Sequence, residues 1–553
     1  MSRRLSVLAL LLACATAGAQ PLPGAAIATA HPAATAAGHA ILAAGGNAFD
    51  AAVAVSAVLA VAEPYSSGLG GGGFWLLHRA VDGSEVMLDG REVAPSAAHR
   101  DMYLDAAGQP VPGLAVDGPL AAGIPGVPAA LDHLARHYGR LPLARSLEPA
   151  IRLARDGVAV DAHYGRLASF RLVALQAADD AAEIFLDRDQ APAAGWVLKQ
   201  PELARTLERL AAEGRDGFYR GPVAAALVDG VRAAGGIWDA ADLADYSVVE
   251  REPVRFDYRG MRVTAAALPS SGGVVLGQML NVLSGYPLDE LATEDRVHLL
   301  VEAMRRAYRD RAAWLGDPDQ VDVPQSRLLD PDYAAGLRAA IHPVRATPSA
   351  LLPGIADPDP GRHTTHYSIL DREGNRVAAT LSINYPFGSG FVAPGTGVLL
   401  NDEMDDFSLQ PGVPNVYGLV GNEANAIAPR KRMLSSMTPA FLDDGGRLAL
   451  LGTPGGSRII TMVLLAALEF AAGADAGRMA ALPRFHHQYL PDRIDYEPGA
   501  FSAELVAGLE ARGHALQAAT RTWGNMQVVL WDRGRGRLQA ASDPRGSGLA
   551  EVR

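Results

Sequence analysis

Apolar residues recur with helical spacing early in the chain, and the spacing then changes to that of strands. Residues 33–44 predict one helix, and Asn47 is placed to cap a second, largely apolar helix that runs to about Glu63. A glycine-rich turn at 70–73 leads into a predicted strand at 74–77. This region therefore combines buried helices with the beginning of a sheet.

Helical patterns dominate the middle of the chain. They extend over about 125–283, and a further helix is predicted over about 294–315 with Thr293 as its N-cap. The segment 325–362 differs because proline and aspartate are frequent in it. Such a composition predicts an exposed connection rather than a packed element.

Strands dominate the chain beyond this connection. Hairpins alternate with a long helix, and the predicted elements are strands at 365–370, 376–383, 439–442 and 447–451, a helix at 457–472 and a final hairpin at 527–541. Strand pairs flanked by long helices predict an α/β fold in which helices cover sheets in layers.

Composition supports a folded protein and narrows the choice of partners. Of the 553 residues, 49% are hydrophobic and 20% are charged, which is ordinary for globular proteins. The formal net charge is −12, whereas proteins that bind nucleic acid need a basic face. The apolar run at 51–62 is shorter than the roughly 20 residues that span a bilayer. Neither nucleic-acid binding nor a membrane span is therefore expected.

The first residues have the pattern of a secretory signal peptide. Arg3 and Arg4 precede an apolar run, and small residues follow as far as Ala19. We expect residues 1–19 to be removed and the mature protein to be periplasmic or secreted. The only cysteine, Cys14, lies within this segment, so the mature chain would have no thiol for disulfides or catalysis. Lipid anchoring through Cys14 is the less favoured alternative.

The change of pattern at His363-Thr364-Thr365-His366 marks a candidate catalytic centre. A threonine hydroxyl is a weak nucleophile, but cleavage before Thr364 would free an α-amino group on the same residue. This amine has an ordinary pKa of roughly 8, which suits a general base near neutral pH. The pattern alone is also compatible with a structural threonine at the start of a buried strand.

Residues elsewhere in this half of the chain offer complementary groups. Ser382 lies on the following strand, where it could face Thr364 across the hairpin. Gly455 and Gly456 precede a predicted helix, so their N–H groups could stabilise an oxyanion. A simple helix-entry turn would have the same pattern.

Charged and hydroxyl side chains could bind a substrate that carries both charges. Glu403 and Asp406 lie in a cluster of carboxylates, which forms a solvated loop in most proteins but could bind an ammonium group beside a nucleophile. Arg91 could pair bidentately with a substrate carboxylate. Ser435 and Ser436 offer two further hydroxyls.

Two other chemistries are disfavoured because their motifs are missing. The chain contains no G-x-S-x-G sequence, the nucleophile motif of α/β-hydrolases. His363, His366, His486 and His487 could suggest a metal site, but no H-E-x-x-H or similar ligand spacing accompanies them. We therefore expect no metal.

Several stretches, taken in order, resemble the γ-glutamyltranspeptidase family of N-terminal-nucleophile hydrolases. The resemblance covers nearly all of the chain after the signal and is densest from Thr364 to Ile460. The matching stretches are 45–48, 63–73, 89–95, 123–128, 364–368, 397–408, 411–421, 434–439, 453–460, 484–492 and 542–550. The resemblance implies a four-layer αββα sandwich. It also implies autocleavage between His363 and Thr364 into a large subunit, 20–363, and a small subunit, 364–553.

The resemblance further implies roles for the catalytic candidates. Thr364 would be the nucleophile of both processing and catalysis. Ser382 stands where the family often has threonine, and the hydroxyl is kept. Gly455 and Gly456 would form the oxyanion hole.

The resemblance implies a pocket for the glutamyl group as well. Its α-carboxylate would be held by Arg91, Ser435 and Ser436, and its α-ammonium by Asn384, Glu403 and Asp406. Tyr417 belongs to a stretch that is similar to the lid loop of many bacterial members. Gly90 stands where the family commonly has phenylalanine, which leaves the neighbouring arginine but changes its packing.

The reaction implied by the resemblance transfers a γ-glutamyl group from glutathione or a related donor to Thr364 and then to water, an amino acid or a dipeptide, without a cofactor. One alternative is a related acylase that acts on β-lactam side chains. Glu403 and Asp406 count against it, because they would face an uncharged acyl chain. Another alternative is an inactive secreted homologue that acts as a binding protein. Retention of Thr364 and Ser382 counts against that interpretation.

Overall fold

The computed structural model describes residues 22–352, 364–410 and 412–553. The expected signal peptide, with Cys14, lies outside these residues, as does His363 of the expected cleavage site. The strands are β1 (Ala26–Thr29), β2 (Gly72–Arg79), β3 (Ser84–Gly90), β4 (Val158–Ala159), β5 (Val197–Leu198), β6 (Val249–Arg251), β7 (Val254–Tyr258), β8 (Met261–Ala265), β9 (Thr365–Leu370), β10 (Arg376–Ser382), β11 (Ala440–Asp443), β12 (Arg447–Gly452), β13 (Phe485–His486), β14 (Ile494–Tyr496), β15 (Leu516–Ala518), β16 (Gln527–Asp532), β17 (Arg537–Ser542) and β18 (Leu549–Val552).

Helices flank these strands on both sides. They are α1 (Pro32–Ala43), α2 (Ala48–Ala62), α3 (Val127–His137), α4 (Leu143–Asp156), α5 (Ala162–Phe170), α6 (Leu172–Gln176), α7 (Asp179–Phe185), α8 (Pro201–Glu213), α9 (Asp216–Tyr219), α10 (Gly221–Ala233), α11 (Ala240–Asp245), α12 (Gly272–Leu283), α13 (Thr293–Trp314), α14 (Gln325–Leu328), α15 (Pro331–Ala339), α16 (Ile459–Ala471), α17 (Ala476–Ala481) and α18 (Ala503–Ala511). Within the described part of the chain, no helix has the combined length and apolarity needed to cross a bilayer.

Two large antiparallel sheets form the centre of the molecule. The first has the strand order β18-β1-β9-β10-β2-β3-β6, and the second has the order β17-β16-β12-β11-β8-β7. Successive side chains of a strand point to opposite faces. In β2, Trp75 and Leu77 therefore pack against the layer of α1 to α4, whereas Phe74 and Leu76 pack between the two sheets. Helices α12 and α16 cover the other face of the second sheet. The expected four-layer αββα sandwich is thus confirmed.

The second helix shows how local sequence signals and burial agree. The side chain of Asn47 accepts hydrogen bonds from the N–H groups of Phe49 and Asp50, and the Asp50 carboxylate accepts one from the Asn47 N–H. This capping box fixes the start of α2. Every residue of α2 is buried, as expected for a helix that is apolar on all sides. It packs against β9 and β10, the strands that lead to the candidate site.

Both sheets contain strands from each side of the expected cleavage point. In the first sheet, β9 pairs with β1 on one edge and β10 on the other, and β10 pairs with β2. In the second sheet, β11 pairs with β8. Residues 22–352 and 364–553 therefore share both large sheets and the core between them, and neither part holds all the strands of either large sheet.

Two sequence-based expectations about the middle of the chain are wrong. Thr293 is the first residue of α13 rather than its cap; the N-cap position is Ala292, which offers no side-chain hydrogen bond. Residues 249–265, within a region predicted to be mainly helical, form β6, β7 and β8. These short strands are stabilised by pairing with distant partners, β3 and β11, and local periodicity does not reveal such pairing.

The expectation of an exposed connection from 325 onwards is wrong for residues 325–339, whereas residues 340–348 are irregular and largely exposed, as expected. Residues 325–339 form α14 and α15, and the side chains of Leu328 and Ala334 are buried. Asp330 caps α15 by accepting from the N–H groups of Asp332 and Tyr333, and Pro331 occupies the first turn. Proline and aspartate act here as helix-start residues, so the same composition fits a packed helix.

A close contact between the two sheets generates a prediction about stability. Gly452, the last residue of β12, faces the buried ring of His366 in β9; a Cβ at this position would lie 2.3 Å from His366 Cε1. We expect Gly452→Ala to lower the free energy of unfolding by about 1–3 kcal/mol, which is typical of overpacking a core. Urea denaturation measures the change.

A glycine of the preceding turn provides the matched control. A Cβ at Gly446 would be 3.5 Å from its closest neighbour, Asp444 Oδ1, which is an ordinary contact. Gly446→Ala should therefore cost less than Gly452→Ala. Equal losses for both variants would contradict the proposed contact between the sheets.

Candidate active site

Thr364 lies at the start of the central strand of the first sheet. It immediately precedes β9, its side chain is buried, and its Oγ1 lies 3.5 Å from the Oγ of Ser382 at the end of β10. The Ser382 oxygen accepts a hydrogen bond from the Asn384 N–H at 2.8 Å. The hairpin register thus places Ser382 beside Thr364, as the sequence predicted.

One small cavity brings most of the predicted site residues together. Its free volume is about 20 Å³, which is enough for about one water molecule. Predicted residues that line it are Thr364, Ser382, Arg91, Asn384, Glu403, Asp406, Tyr417, Ser435, Ser436 and Gly456. Gly455 instead lines a larger cleft that also reaches Thr364. A glutamyl group enters the small cavity only if part of its wall moves.

The charged residues of this cavity are paired with one another. Arg91 Nη1 donates to Glu403 Oε2 at 2.6 Å, and Nη2 donates to Asp406 Oδ2 at 2.5 Å. The Arg91 side chain is 1% exposed. Burial raises the pKa of Glu403 above its ordinary value, which Arg91 and the Ser382 side chain oppose. Burial and the nearby Glu403 carboxyl group also raise the pKa of the neighbouring Glu92 well above its ordinary value.

A second guanidinium lies behind the two predicted serines. Arg311 Nη2 donates to Ser436 Oγ at 3.1 Å, and Nε donates to Ser271 Oγ at 2.9 Å. The Ser271 hydroxyl in turn donates to the Ser435 carbonyl at 2.6 Å. Arg311 is buried, and burial lowers its pKa. The cavity itself is therefore lined by one guanidinium group, Arg91, with the carboxyl groups of Glu403 and Asp406, and Arg311 supports it from behind Ser436.

The stretch predicted as a lid lies across this cavity. The hydroxyl of Tyr417 donates to the carbonyl of Asn384 at 2.6 Å, and Asn415 Nδ2 donates to Asp406 Oδ1 at 3.0 Å. Gln488 Nε2 donates to the Tyr417 carbonyl at 3.2 Å. These hydrogen bonds, with two others at Val416 and Gly418, connect the loop to both walls of the cavity.

Gly455 and Gly456 provide the backbone groups that were predicted for an oxyanion site. Their φ angles are +148° and +55°, in the region that favours glycine. They precede the short 3₁₀ turn and helix α16, and N–H groups at a helix start lack intrahelical partners. A Cβ at Gly456 would lie 2.4 Å from the ring of Tyr417, so the lid requires glycine there.

The unusual Gly90 has a clear structural explanation. A Cβ at this position would lie 2.8 Å from Cζ3 of Trp75 and 3.1 Å from Cβ of Ala130. The Trp75 indole therefore fills space that a larger residue at 90 would need. Arg91 keeps its position, because its backbone N–H donates to Asp89 Oδ1 at 2.9 Å.

Sequence reasoning missed Arg311. It also raised four histidines, of which the structure separates His366, His486 and His487 from this cavity, whereas His363 lies outside the described residues. Arg311 belongs to an arginine-rich helix, α13, in which no local signal distinguishes it from its neighbours. The ring of His366 instead bonds to hydroxyls within the first sheet. His486 bonds to Thr461 and to a glutamine side chain.

The lid generates a prediction about loop dynamics. Tyr417→Phe removes the hydrogen bond to Asn384 but keeps the ring over Gly456. Because such a bond contributes about 1 kcal/mol, we expect amide hydrogen exchange of residues 412–421 to become about fivefold faster. Tyr164→Phe, which removes a comparable bond to the Phe185 carbonyl, is the control. Unchanged exchange in the Tyr417 variant would contradict a lid held by this contact.

Comparisons with known proteins agree with this geometry. The sequence profile of the γ-glutamyltranspeptidase family matches residues 34–552. The glutathione hydrolase proenzyme of Pseudomonas sp. (strain A14) is 43% identical over 543 residues, with 95% of this chain and 93% of the relative covered. That of Escherichia coli (strain K12) is 42% identical over 525 residues, with 94% and 90% covered. The crystal structure of cephalosporin acylase from Bacillus halodurans matches with a TM-score of 0.84 at 29% identity, covering 100% of this chain and 97% of that chain. The chain therefore belongs to the γ-glutamyltranspeptidase family.

Proposed function

We propose that this protein is a glutathione hydrolase and γ-glutamyltransferase in which Thr364 is the nucleophile. The observation that carries the proposal is the convergence of Thr364 with paired cationic and anionic side chains on one small cavity. The relatives named glutathione hydrolase proenzymes support both the activity and the need for processing.

Cleavage before Thr364 would supply the base that its hydroxyl needs. The freed α-amine takes the proton of the hydroxyl as Oγ1 attacks the γ-amide carbonyl, and later passes it to the leaving amine. Ser382 Oγ, 3.5 Å from Thr364 Oγ1, is positioned to orient this hydroxyl. The N–H groups of Gly455 and Gly456 stabilise the negative charge on the carbonyl oxygen. Water or an amine then resolves the γ-glutamyl ester.

The charges of the cavity suit the α-amino acid end of a glutamyl group. Arg91, Glu403 and Asp406 line the cavity, and Arg311 adds a second positive group behind it, where it donates to the Ser436 hydroxyl. A bound zwitterion brings one positive and one negative charge. It can therefore replace ion pairs among these side chains, and the total charge of the site stays the same. Its carboxylate takes the place of a carboxyl group at Arg91 and contacts Ser435 and Ser436, while its ammonium is received by Asp406 and Glu403. Buried charges need such pairing.

The β-lactam acylase is the second candidate, and the likeness to cephalosporin acylase keeps it relevant. Because Arg91 already pairs with Glu403 and Asp406, these carboxylates do not by themselves exclude a substrate without an ammonium group. A glutaryl chain, however, brings a carboxylate and no cation, and so adds one uncompensated negative charge. This imbalance favours the γ-glutamyl substrate. An inactive binding protein is the third candidate, and it would remain uncut.

Processing would give subunits 20–363 and 364–553. Their association is supported by the sheets, because each large sheet contains paired strands from both parts and the two sheets bury a common core. We also propose that residues 1–19 direct the precursor to the periplasm or the exterior, as their sequence pattern indicates.

The processing proposal predicts the outcome of replacing the nucleophile. Thr364→Ala should remain a single chain and have no measurable activity, because both steps need the hydroxyl. Thr364→Ser, which keeps a hydroxyl, should still be cut. Intact mass and N-terminal sequencing of the purified proteins provide the measurement, and the small subunit should begin Thr-Thr-His-Tyr. A Thr364→Ala protein that splits at this site would refute the assignment.

The ammonium site predicts a selective effect of removing one carboxylate. We expect Asp406→Asn to reduce kcat/KM for γ-glutamyl-p-nitroanilide by about tenfold to a hundredfold, the range for a lost charged hydrogen bond. Glutaryl-p-nitroanilide lacks the ammonium group and should lose much less. Glu423→Gln, at an exposed carboxylate outside the cavity, is the control. Equal losses for both substrates would remove Asp406 from the ammonium site.

A further inference from the structure

The turn that follows β10 connects three parts of the candidate active site through one residue, Asn384. Its N–H donates to Ser382 Oγ, beside the nucleophile, at 2.8 Å. Its carbonyl accepts from the hydroxyl of Tyr417 in the lid at 2.6 Å, and the residue lines the small cavity. A displacement of Asn384 would therefore disturb the neighbour of the nucleophile, the lid and the cavity wall together.

The side chain of Asn384 is oriented by a backbone group on the far side of the turn. Its Nδ2 donates to the carbonyl of Asp402 at 3.0 Å. Because the amide group donates through its nitrogen, its oxygen remains as an acceptor for a donor such as a substrate ammonium group. The direction of this acceptor depends on where the backbone of Asn384 lies.

The backbone of this turn has a conformation that most residues avoid. Asn384 has a φ angle of +71°, and Phe387 has one of +57°. Asparagine tolerates this left-handed region better than most residues, whereas phenylalanine rarely adopts it. Such a conformation persists only where the surrounding contacts hold it in place. The contacts of residues 384–388 therefore decide the position of Asn384.

Arg171 makes two of these contacts from the other side of the expected cleavage point. It lies between α5 and α6 and is 7% exposed. Its Nε donates to the Pro386 carbonyl at 2.9 Å, and its Nη2 donates to the Gly388 carbonyl at 2.8 Å. Both residues of the turn are buried, and buried carbonyl groups need a hydrogen-bond partner. The planar fork of the guanidinium thus fixes two carbonyl groups of the turn relative to each other.

Neighbouring side chains hold the guanidinium of Arg171 itself. Asp117 Oδ1 lies 2.8 Å from its Nη2. Its central carbon lies 5.2 Å from the centre of the Tyr385 ring, which is a cation–π distance. The Tyr385 ring packs against that of Phe170, with 5.6 Å between the ring centres. Charge and stacking together favour a single orientation of Arg171.

We infer that Arg171 is a positioning residue for Asn384 and thereby contributes to the preference for donors that carry an ammonium group. The inference rests on the proposed function and adds a residue that does not line the small cavity. Arg171 acts through the turn, because its hydrogen bonds end two and four positions after Asn384. After processing, a side chain of the large subunit would thus set the geometry of a site residue in the small subunit.

The test compares two donors that differ only in the ammonium group. The processed protein is assayed with γ-glutamyl-p-nitroanilide and with glutaryl-p-nitroanilide, and the ratio of the two kcat/KM values gives the donor preference. We expect Arg171→Gln to lower this ratio about threefold to tenfold, as for one weakened hydrogen bond to the ammonium group. The ratio does not depend on the concentration of active protein. A loss of folded protein alone would therefore leave it unchanged.

Two further variants separate positioning from charge and from general stability. Arg171→Lys keeps a positive charge near Asp117, but its single nitrogen cannot reproduce the fork that spans both carbonyl groups. It should recover at most part of the donor preference. Arg338→Gln is the matched control and should keep the parent's ratio. Arg338 also donates to two carbonyl groups, those of Asn281 and Val282 at 3.1 Å each, and it does not line the cavity.

Hydrogen exchange tests the same inference if Arg171→Gln has too little activity for a ratio. The acceptor of the Tyr417 hydroxyl is the Asn384 carbonyl, so a displaced turn weakens the attachment of the lid. We expect amide exchange of residues 412–421 to become about twofold to fivefold faster in this variant. An inactive variant with the parent's exchange rates in the lid would overturn the positioning role.

The outcomes distinguish this inference from the function on which it rests. An Arg171→Gln or Arg171→Lys protein with the parent's donor preference would overturn positioning by the guanidinium fork. Hydrolysis of γ-glutamyl-p-nitroanilide by the parent protein would remain in either case. Its absence from the processed parent protein would instead contradict the proposed function and the inference together.

Discussion

The pairing of β9 between β1 and β10 sets the position of Thr364, and the rest of the site is arranged around that position. β10 pairs with β9 from Thr365 onwards and β1 pairs with it from Tyr367 onwards, so the strand that Thr364 precedes is fixed on both edges. Ser382 follows from this pairing, because β10 ends opposite the start of β9. Helix α2 and the second sheet pack on the two faces of β9. A free amine produced by cleavage would therefore appear on a rigid support.

Buried charge is the second constraint on this site. Arg91 is removed from water and is stabilised only because Glu403 and Asp406 contact it directly. Arg311 makes its contacts with hydroxyl groups instead. Together these two arginines and two carboxyl groups have little net charge. A zwitterionic ligand could nevertheless form new ion pairs with them in place of the existing ones.

The local sequence correctly predicted those elements whose stabilising contacts lie within the element itself. Helix α2 has its capping box and its apolar surface within a single stretch, and its bounds were predicted closely. The β9–β10 hairpin is similar, because its strands are joined by a short turn. Prediction failed where stabilisation comes from distant residues, as in β6 to β8, and where Asp330 and Pro331 begin a helix rather than form a loop.

The sequence by itself determined locally stabilised elements such as α2 and the β9–β10 hairpin, the layered α/β class and, through the resemblance, a set of site residues. These properties depend on spacing and on motifs that are contiguous in the chain. Tertiary structure alone decided which charges meet. Arg91 contacts Glu403 across 312 positions of sequence, and Arg311 contacts Ser436 across 125. Such contacts depend on strand order and core packing. These bring together side chains that are far apart in the chain, and the sequence around each one does not indicate its partner.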